Sequence, residues 1–203
     1  MASAAARALT ADFRADQLAL RGRTATLFLR DWPALDLSAS SPDLVRWQRA
    51  MRDLVRQQRT ASSRAAAAYL TAFRDAEDVP GTFRPSLAPD VVPGRLATAT
   101  RVTSVVAFRT ALRAGHPADA AALIARNSAL GAVTRLVLEG GRETVVRGVR
   151  DDPRGVGWQR VSSATACAFC QMLAGRGAVY REDTADFATH DHCGCTAEAV
   201  YRR

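Results

Sequence analysis

Apolar residues recur at helical spacing through most of the chain, and the pattern breaks only near residue 151. Leu9, Phe13, Leu20, Leu27 and Phe28 form a stripe that predicts a helix over 4–30. Trp32-Pro33 stops it. A second helix starts at Ser41-Pro42-Asp43, with Ser41 as N-cap and Pro42 at the first helical position. Trp47, Met51, Leu54, Ala61, Ala65 and Tyr69 carry its apolar face to Phe73 or just beyond. A helix this long reads as one arm of a hairpin with the first. Its aromatic and Met stripe reads as core.

Residues 79–94 hold four prolines and two glycines, which predicts an ordered connector that wraps the helices. A third helix is expected over 95–114, ending at Gly115. Pro117 starts a fourth, with apolar positions Leu123, Ile124, Leu130, Val133, Val137 and Leu138. Gly140-Gly141 is read as its end, with one short further helix over 142–150. After Asp151-Asp152-Pro153 the pattern turns to short strands: 157–162, then 178–180, then 196–201, with a short helix through Met172-Leu173. The fold class is therefore α+β, mainly α. Its segments are a helical hairpin (1–78), a Pro-rich connector (79–94), a helical region (95–150) and a small α+β module (151–203). That last module is too small to stand on its own core.

Composition sharpens this picture. Hydrophobic residues make up 48 % of the chain but aromatics only 6 %, so alanine carries much of the apolar content and the core is thin. Arg7, Asp12, Arg14 and Asp16 break the N-terminal apolar stretch, which argues against a signal peptide. No run of about 18 apolar residues points to a membrane span. A soluble protein made in a reducing cytosol is the default expectation. All 28 basic residues are arginine, and the net charge is +8. Residues 1–150 hold 22 arginines against 13 acids, a net +9, whereas residues 151–203 hold 6 against 7, a net −1. A basic partner surface would be N-terminal and would suit double-stranded DNA or an acidic protein face. A solvated arginine-rich helical surface is the plainer alternative.

The chemistry is concentrated in residues 167–195. This window holds all four cysteines and two of the three histidines. Cys167-x-x-Cys170 and His190-x-x-Cys193 are two half-sites with the same gap, and together they supply Cys₃His ligands for one structural zinc ion. Cys195 can replace Cys193, because Gly194 permits a tight turn, and His192 can replace His190. Two disulfides are the competing reading, disfavoured by cytosolic synthesis. A redox Cys-x-x-Cys lacks its βαβ context. A zinc deaminase needs His-x-Glu before Pro-Cys-x-x-Cys, and a zinc protease needs His-Glu-x-x-His; the chain has neither. Asp191-His192 is similar to part of the zinc-braced His-Asn-His nucleases, but their second Cys-x-x-Cys and downstream Asn or His are missing. His116, the third histidine, reads as a surface turn residue beside Pro117.

Longer stretches of the tail carry a resemblance. Gly141-Arg142-x-Thr144, Gly157-Trp158-x-Arg160-Val161, Cys167-Ala168-Phe169-Cys170-x-Met172-Leu173-Ala174-x-Arg176-Gly177 and His190-Asp191-His192-Cys193-x-Cys195 resemble the C-terminal signature of the phage Mu F-like minor head proteins. The likeness is closest to the forms in phages of high-GC actinobacteria and covers residues 141–201. It implies a non-enzymatic minor capsid protein, multimeric in the particle. Such a protein associates with the portal protein or major capsid protein inside the virion head, after assembly in the host cytoplasm. It also implies that Cys167, Cys170, His190, Cys193 and Cys195 are the motif positions, with His192 an added candidate. A zinc-dependent nuclease or a capsid maturation protease is the alternative.

Overall fold

The computed structural model describes residues 2–32, 37, 42–163, 166–177, 180, 187 and 189–202. Helix α1 (Ala4–Asp31) and helix α2 (Pro42–Ala76) form the expected hairpin. Ser3 caps α1, its Oγ accepting from the Ala6 amide at 3.1 Å. The Ser3 amide in turn donates to Glu77 at 2.6 Å, which ties the start of α1 to the end of α2. Phe13 stacks on Tyr69 with ring centroids 4.6 Å apart, and the Tyr69 hydroxyl meets Thr10 at 2.9 Å. The proposed stop at Pro33 and the Ser41 cap lie outside the described residues.

The buried face of α2 departs from the expected stripe. Trp47, Met51, Leu54 and Tyr69 are buried, but Ala61 is exposed, and Ser62, Ser63 and Ala66 take the inner positions. A helix advances slightly more than half a turn in two residues, and here small hydroxyls face inward because another helix comes close. That helix is α5.

Helix α3 (Pro93–Arg101) opens with Pro93 at its first position and runs on through a π-helical turn (Val102–Val106) into α4 (Ala107–Arg113). The single helix expected over 95–114 is therefore one rod with a widened turn. His116 is exposed beside Gly115, whose φ of 88° needs a residue without Cβ.

Helix α5 (Ala118–Asp151) corrects the sequence reading most sharply. Gly140-Gly141 does not end it, and 142–150 is its continuation. The glycines serve a close crossing instead. A Cβ on Gly140 would lie 2.7 Å from the Arg59 carbonyl oxygen, and one on Gly141 would lie 2.7 Å from Ser62 Oγ. The Gly141 amide also donates to Ser62 Oγ at 2.9 Å. Leu123 and Ile124 are exposed, and Ala121, Ala125, Ala129 and Ala132 hold the inner positions. Helix α5 has the length and apolarity of a membrane-crossing helix. Just over half of its apolar stretch is nevertheless buried against the rest of the protein, and the helix carries Arg135, Glu139, Arg142 and Glu143.

Two buried arginines pin the connector against the helices. Arg59 donates to the Pro89 carbonyl at 3.0 Å, to the Leu136 carbonyl at 2.9 Å and to Glu143 at 2.6 Å. Arg74 donates to Asp152 at 2.7 Å and to the carbonyls of Val79, Pro80 and Gly81. These bonds satisfy backbone groups of a segment that has no ladder of its own.

Strands β1 (Gly155–Val161) and β2 (Thr196–Tyr201) pair antiparallel, with Trp158 opposite Ala199 and Arg160 opposite Ala197. Helix α6 (Ala168–Ala174) lies between them in sequence. Of the strand expected at 178–180, Tyr180 bridges Trp158 and stacks on it at 4.6 Å; 178–179 lie outside the described residues. One core cluster joins Ala6 and Phe13 of α1, Tyr69 and Phe73 of α2, Val145 and Val149 of α5, Trp158 of β1, and Ala197 and Ala199 of β2. The tail thus completes the main core and does not rest on its cysteines alone. A second cluster around Phe28, Trp47, Met51, Val133 and Val137 fills the other end.

Gly140→Val should lower the unfolding midpoint, at a cost of about 1–3 kcal/mol from forcing α2 and α5 apart. In an ordinary helix interior, replacing glycine stabilises. A higher midpoint in thermal or denaturant unfolding would therefore show that the crossing does not require glycine.

Candidate metal centre

The Cys/His loop is laid along one edge of α5. Gly131 leaves room for it: a Cβ there would lie 2.8 Å from both Asp191 Cβ and His192 Nε2. One turn on, Arg135 pairs with Asp191 at 2.8 Å and with Glu139 at 3.0 Å. Glu139 also holds Arg95 at 2.8 Å. Two further turns along, Arg142 donates Nη2–H to the Cys193 carbonyl at 2.7 Å and Nε–H to the Cys195 carbonyl at 2.9 Å. From α1, Arg21 donates to the His192 carbonyl at 3.2 Å.

This scaffold gathers five of the six candidates into two triads that share Cys170. Cys167, Cys170 and His190 form one, and Cys170, Cys193 and Cys195 the other; within each, the ligand atoms lie within 4.8 Å of one another. His190 Nε2 is 3.1 Å from Cys167 Sγ and 3.3 Å from Cys170 Sγ. Cys170 and Cys193 sulfurs are 3.7 Å apart. Sulfurs on a tetrahedral zinc sit about 3.7 Å apart, given bonds of about 2.3 Å. A disulfide would bring them to about 2.05 Å. All four cysteines are free thiols, and either triad can hold a metal ion.

His190 is prepared as a ligand. Its Nδ1–H donates to the Asp191 carbonyl at 2.7 Å, which leaves Nε2 facing the sulfurs. His192 belongs to neither triad. It takes a left-handed conformation, φ 64°, and its ring lies against Gly131. Cys167 and His190 are exposed, whereas Cys170, Cys193 and Cys195 are buried, so the cluster sits half in the core and half at the surface. Phe169 and Met172 of α6 are exposed beside it, and the Phe169 ring meets the His190 ring edge-on at 6.1 Å.

The sulfurs differ in acidity. The Cys195 thiol donates toward Cys193, and with the Arg142 charge nearby it holds Cys193 at about 4. Cys195 is pushed up, by that same partner and by burial. Burial raises Cys170 to about 11. The backbone N–H of Cys170 lowers Cys167. The bond to the Asp191 carbonyl raises His190.

The sequence spacing marked all six candidates, but the arginines that hold them escaped it. Arg142 appeared only within the resembling stretch, and Arg21 and Arg135 look like any surface arginine in a chain with 28 of them. A groove of about 610 Å³ lies elsewhere, between Arg7, Phe73, Glu77, Gln159, Glu198 and Tyr201.

A mainly helical protein with a small two-stranded sheet, carrying a Cys/His cluster able to hold a metal ion, is the class these features define. The chain belongs to the VG15 protein family, whose profile matches residues 4–203. That family is a phage, virion-associated one, so this is a phage protein of the virion or the infected host. No curated protein and no solved structure matches the chain.

Metal loading should release protons at neutral pH, because Cys170 begins as a thiol and must become a thiolate. Loading should weaken as pH falls, since protons then compete for His190 and the sulfurs. Calorimetry of zinc binding in buffers of different ionisation enthalpy reads this directly; a heat independent of buffer would contradict it.

Proposed function

We propose that this chain is a structural minor capsid protein of a tailed phage, of the Mu F-like kind, and that its tail is braced by one zinc ion. Cys167, Cys170, His190 and Cys193 are the ligands. Cys193 is preferred because its sulfur stands 3.7 Å from Cys170 Sγ, the spacing of two sulfurs on one zinc, and its acidity constant is lowered while that of Cys195 is raised. In this reading the ion joins Cys193 to the triad of Cys167, Cys170 and His190 in one tetrahedron, and the tail becomes a rigid docking unit.

The observation that carries the reading is the clamp between the Cys/His loop and α5 within a chain that a virion-associated family profile matches almost end to end. A loop fixed by Arg21, Arg135 and Arg142 suits a fastener. The exposed Phe169 and Met172 beside it offer an apolar face to a portal or major capsid protein. The arginine-rich helices supply planar bidentate donors that suit phosphate, so packaged DNA is a second contact. A nuclease reading would ask His192 to face the ion. Its ring lies against Gly131 instead, outside both triads.

Elemental analysis of the purified chain should give about one zinc per chain. Cys170→Ser should lose that zinc and melt the tail while α1 and α2 persist, as read by hydrogen exchange, whereas Cys195→Ser should keep it. Full zinc in the Cys170 variant would defeat the ligand assignment. Co-sedimentation with cognate portal oligomers tests the partner. Plasmid cleavage in Mg²⁺ that vanishes in His192→Ala would overturn the structural role in favour of the nuclease.

A further inference from the structure

Arg142 is 3 % exposed, and its guanidinium lies deep between α5 and the Cys/His loop. Among the described residues it forms no ion pair with a carboxylate. Its bonds go to two carbonyls, and its Nη1 has no partner among the described residues. Glu139, three residues before it, is already engaged by Arg95 and Arg135. The Phe187 ring, 5.4 Å from Arg142 Cζ, adds only the attraction of a π face. A buried cation without a counter-anion is strongly unfavourable. What lies against it is the Cys193–Cys195 turn, whose two sulfurs belong with Cys170 to one of the triads.

Building on the zinc reading above, we propose that Arg142 is the counter-cation of the metal–thiolate centre and the residue that aims its C-terminal ligands. Three thiolates and one neutral imidazole on a doubly charged ion leave one net negative charge, and four thiolates would leave two. Arg142 lies against the Cys193–Cys195 turn, and Arg160, also buried, lies over the same Phe187 ring. A zinc–thiolate centre of either kind carries the negative charge that a buried guanidinium needs. Its fork fixes the direction of the Cys193–Cys195 turn through both flanking carbonyls, a geometry that lysine cannot reproduce. Arg142 acts through the ligands it positions and does not touch the ion.

The test is zinc affinity by chelator competition, with thermal unfolding of the zinc-free and zinc-loaded full chain, for wild type, Arg142→Met and Arg142→Lys. Arg142→Met should bind zinc about 10- to 100-fold more weakly. Arg142→Lys should also lose affinity, but less, because it keeps the charge without the fork. The rise in unfolding midpoint on zinc loading should shrink in Arg142→Met, since without metal the buried cation has the least to balance it. A purely structural arginine would lower both midpoints together and leave the rise unchanged, which would overturn the proposal. Affinity within twofold of wild type in either variant would overturn it as well. If Arg142→Met does not fold, the affinity of Arg142→Lys decides alone. A wild-type chain that binds no zinc would sink this inference together with the zinc reading; a zinc-loaded wild type with unaffected variants would sink this inference only.

Discussion

The close crossing of α2 and α5 is the constraint on which the other contacts depend. Gly140 and Gly141 bring the α5 backbone against Arg59, Ser62 and Ser63 of α2. Only at that separation can Arg59 reach the Leu136 carbonyl and still hold Glu143 and the connector. Each glycine costs the helix about 1 kcal/mol of propensity relative to alanine. The cost is offset because the crossing fixes the azimuth of α5. That azimuth decides which edge presents Gly131, Arg135 and Arg142 to the tail. A thin, alanine-rich core tolerates this arrangement because small side chains already set short distances along both helices.

Much of the architecture was legible in the chain. Periodic apolar positions and prolines located α1, α2 and the connector, and the paired Cys/His half-sites located the cluster. The failures share a physical cause. A glycine pair has the same appearance whether it ends a helix or lets a second helix approach, and the deciding partner, Ser62, is 79 residues away from Gly141. Leu123 and Ile124 looked like core because they are large, yet the alanines beside them are the buried ones. Periodicity fixes a stripe only to within a residue or two. Where small residues allow close approach, the stripe rotates toward them.

Arginine illustrates the same limit. In a chain without lysine, composition treats its 28 arginines as one population. The structure divides them. Arg59, Arg74 and Arg142 are buried and bond mainly to backbone carbonyls, tying segments that lack regular pairing. Arg49, Arg52 and Arg64 lie exposed on the outer face of α2. Net charge therefore describes partner surfaces only after the structural arginines are set aside.

Strand β2 shares its core with the first turn of α1: Ala199 and Ala6 belong to one cluster, at nearly opposite ends of the described chain. During synthesis, the helices emerge and pair long before residues 196–201 leave the ribosome. Until then, Phe73, Trp158 and their neighbours lack a lid. The nascent chain passes through a stage with helices formed and an apolar seam open, and the arrival of β2 closes it. A chain cut short before β2 would keep its helices and leave that apolar seam exposed, so β2 is the element that makes the helical frame inert toward neighbouring chains.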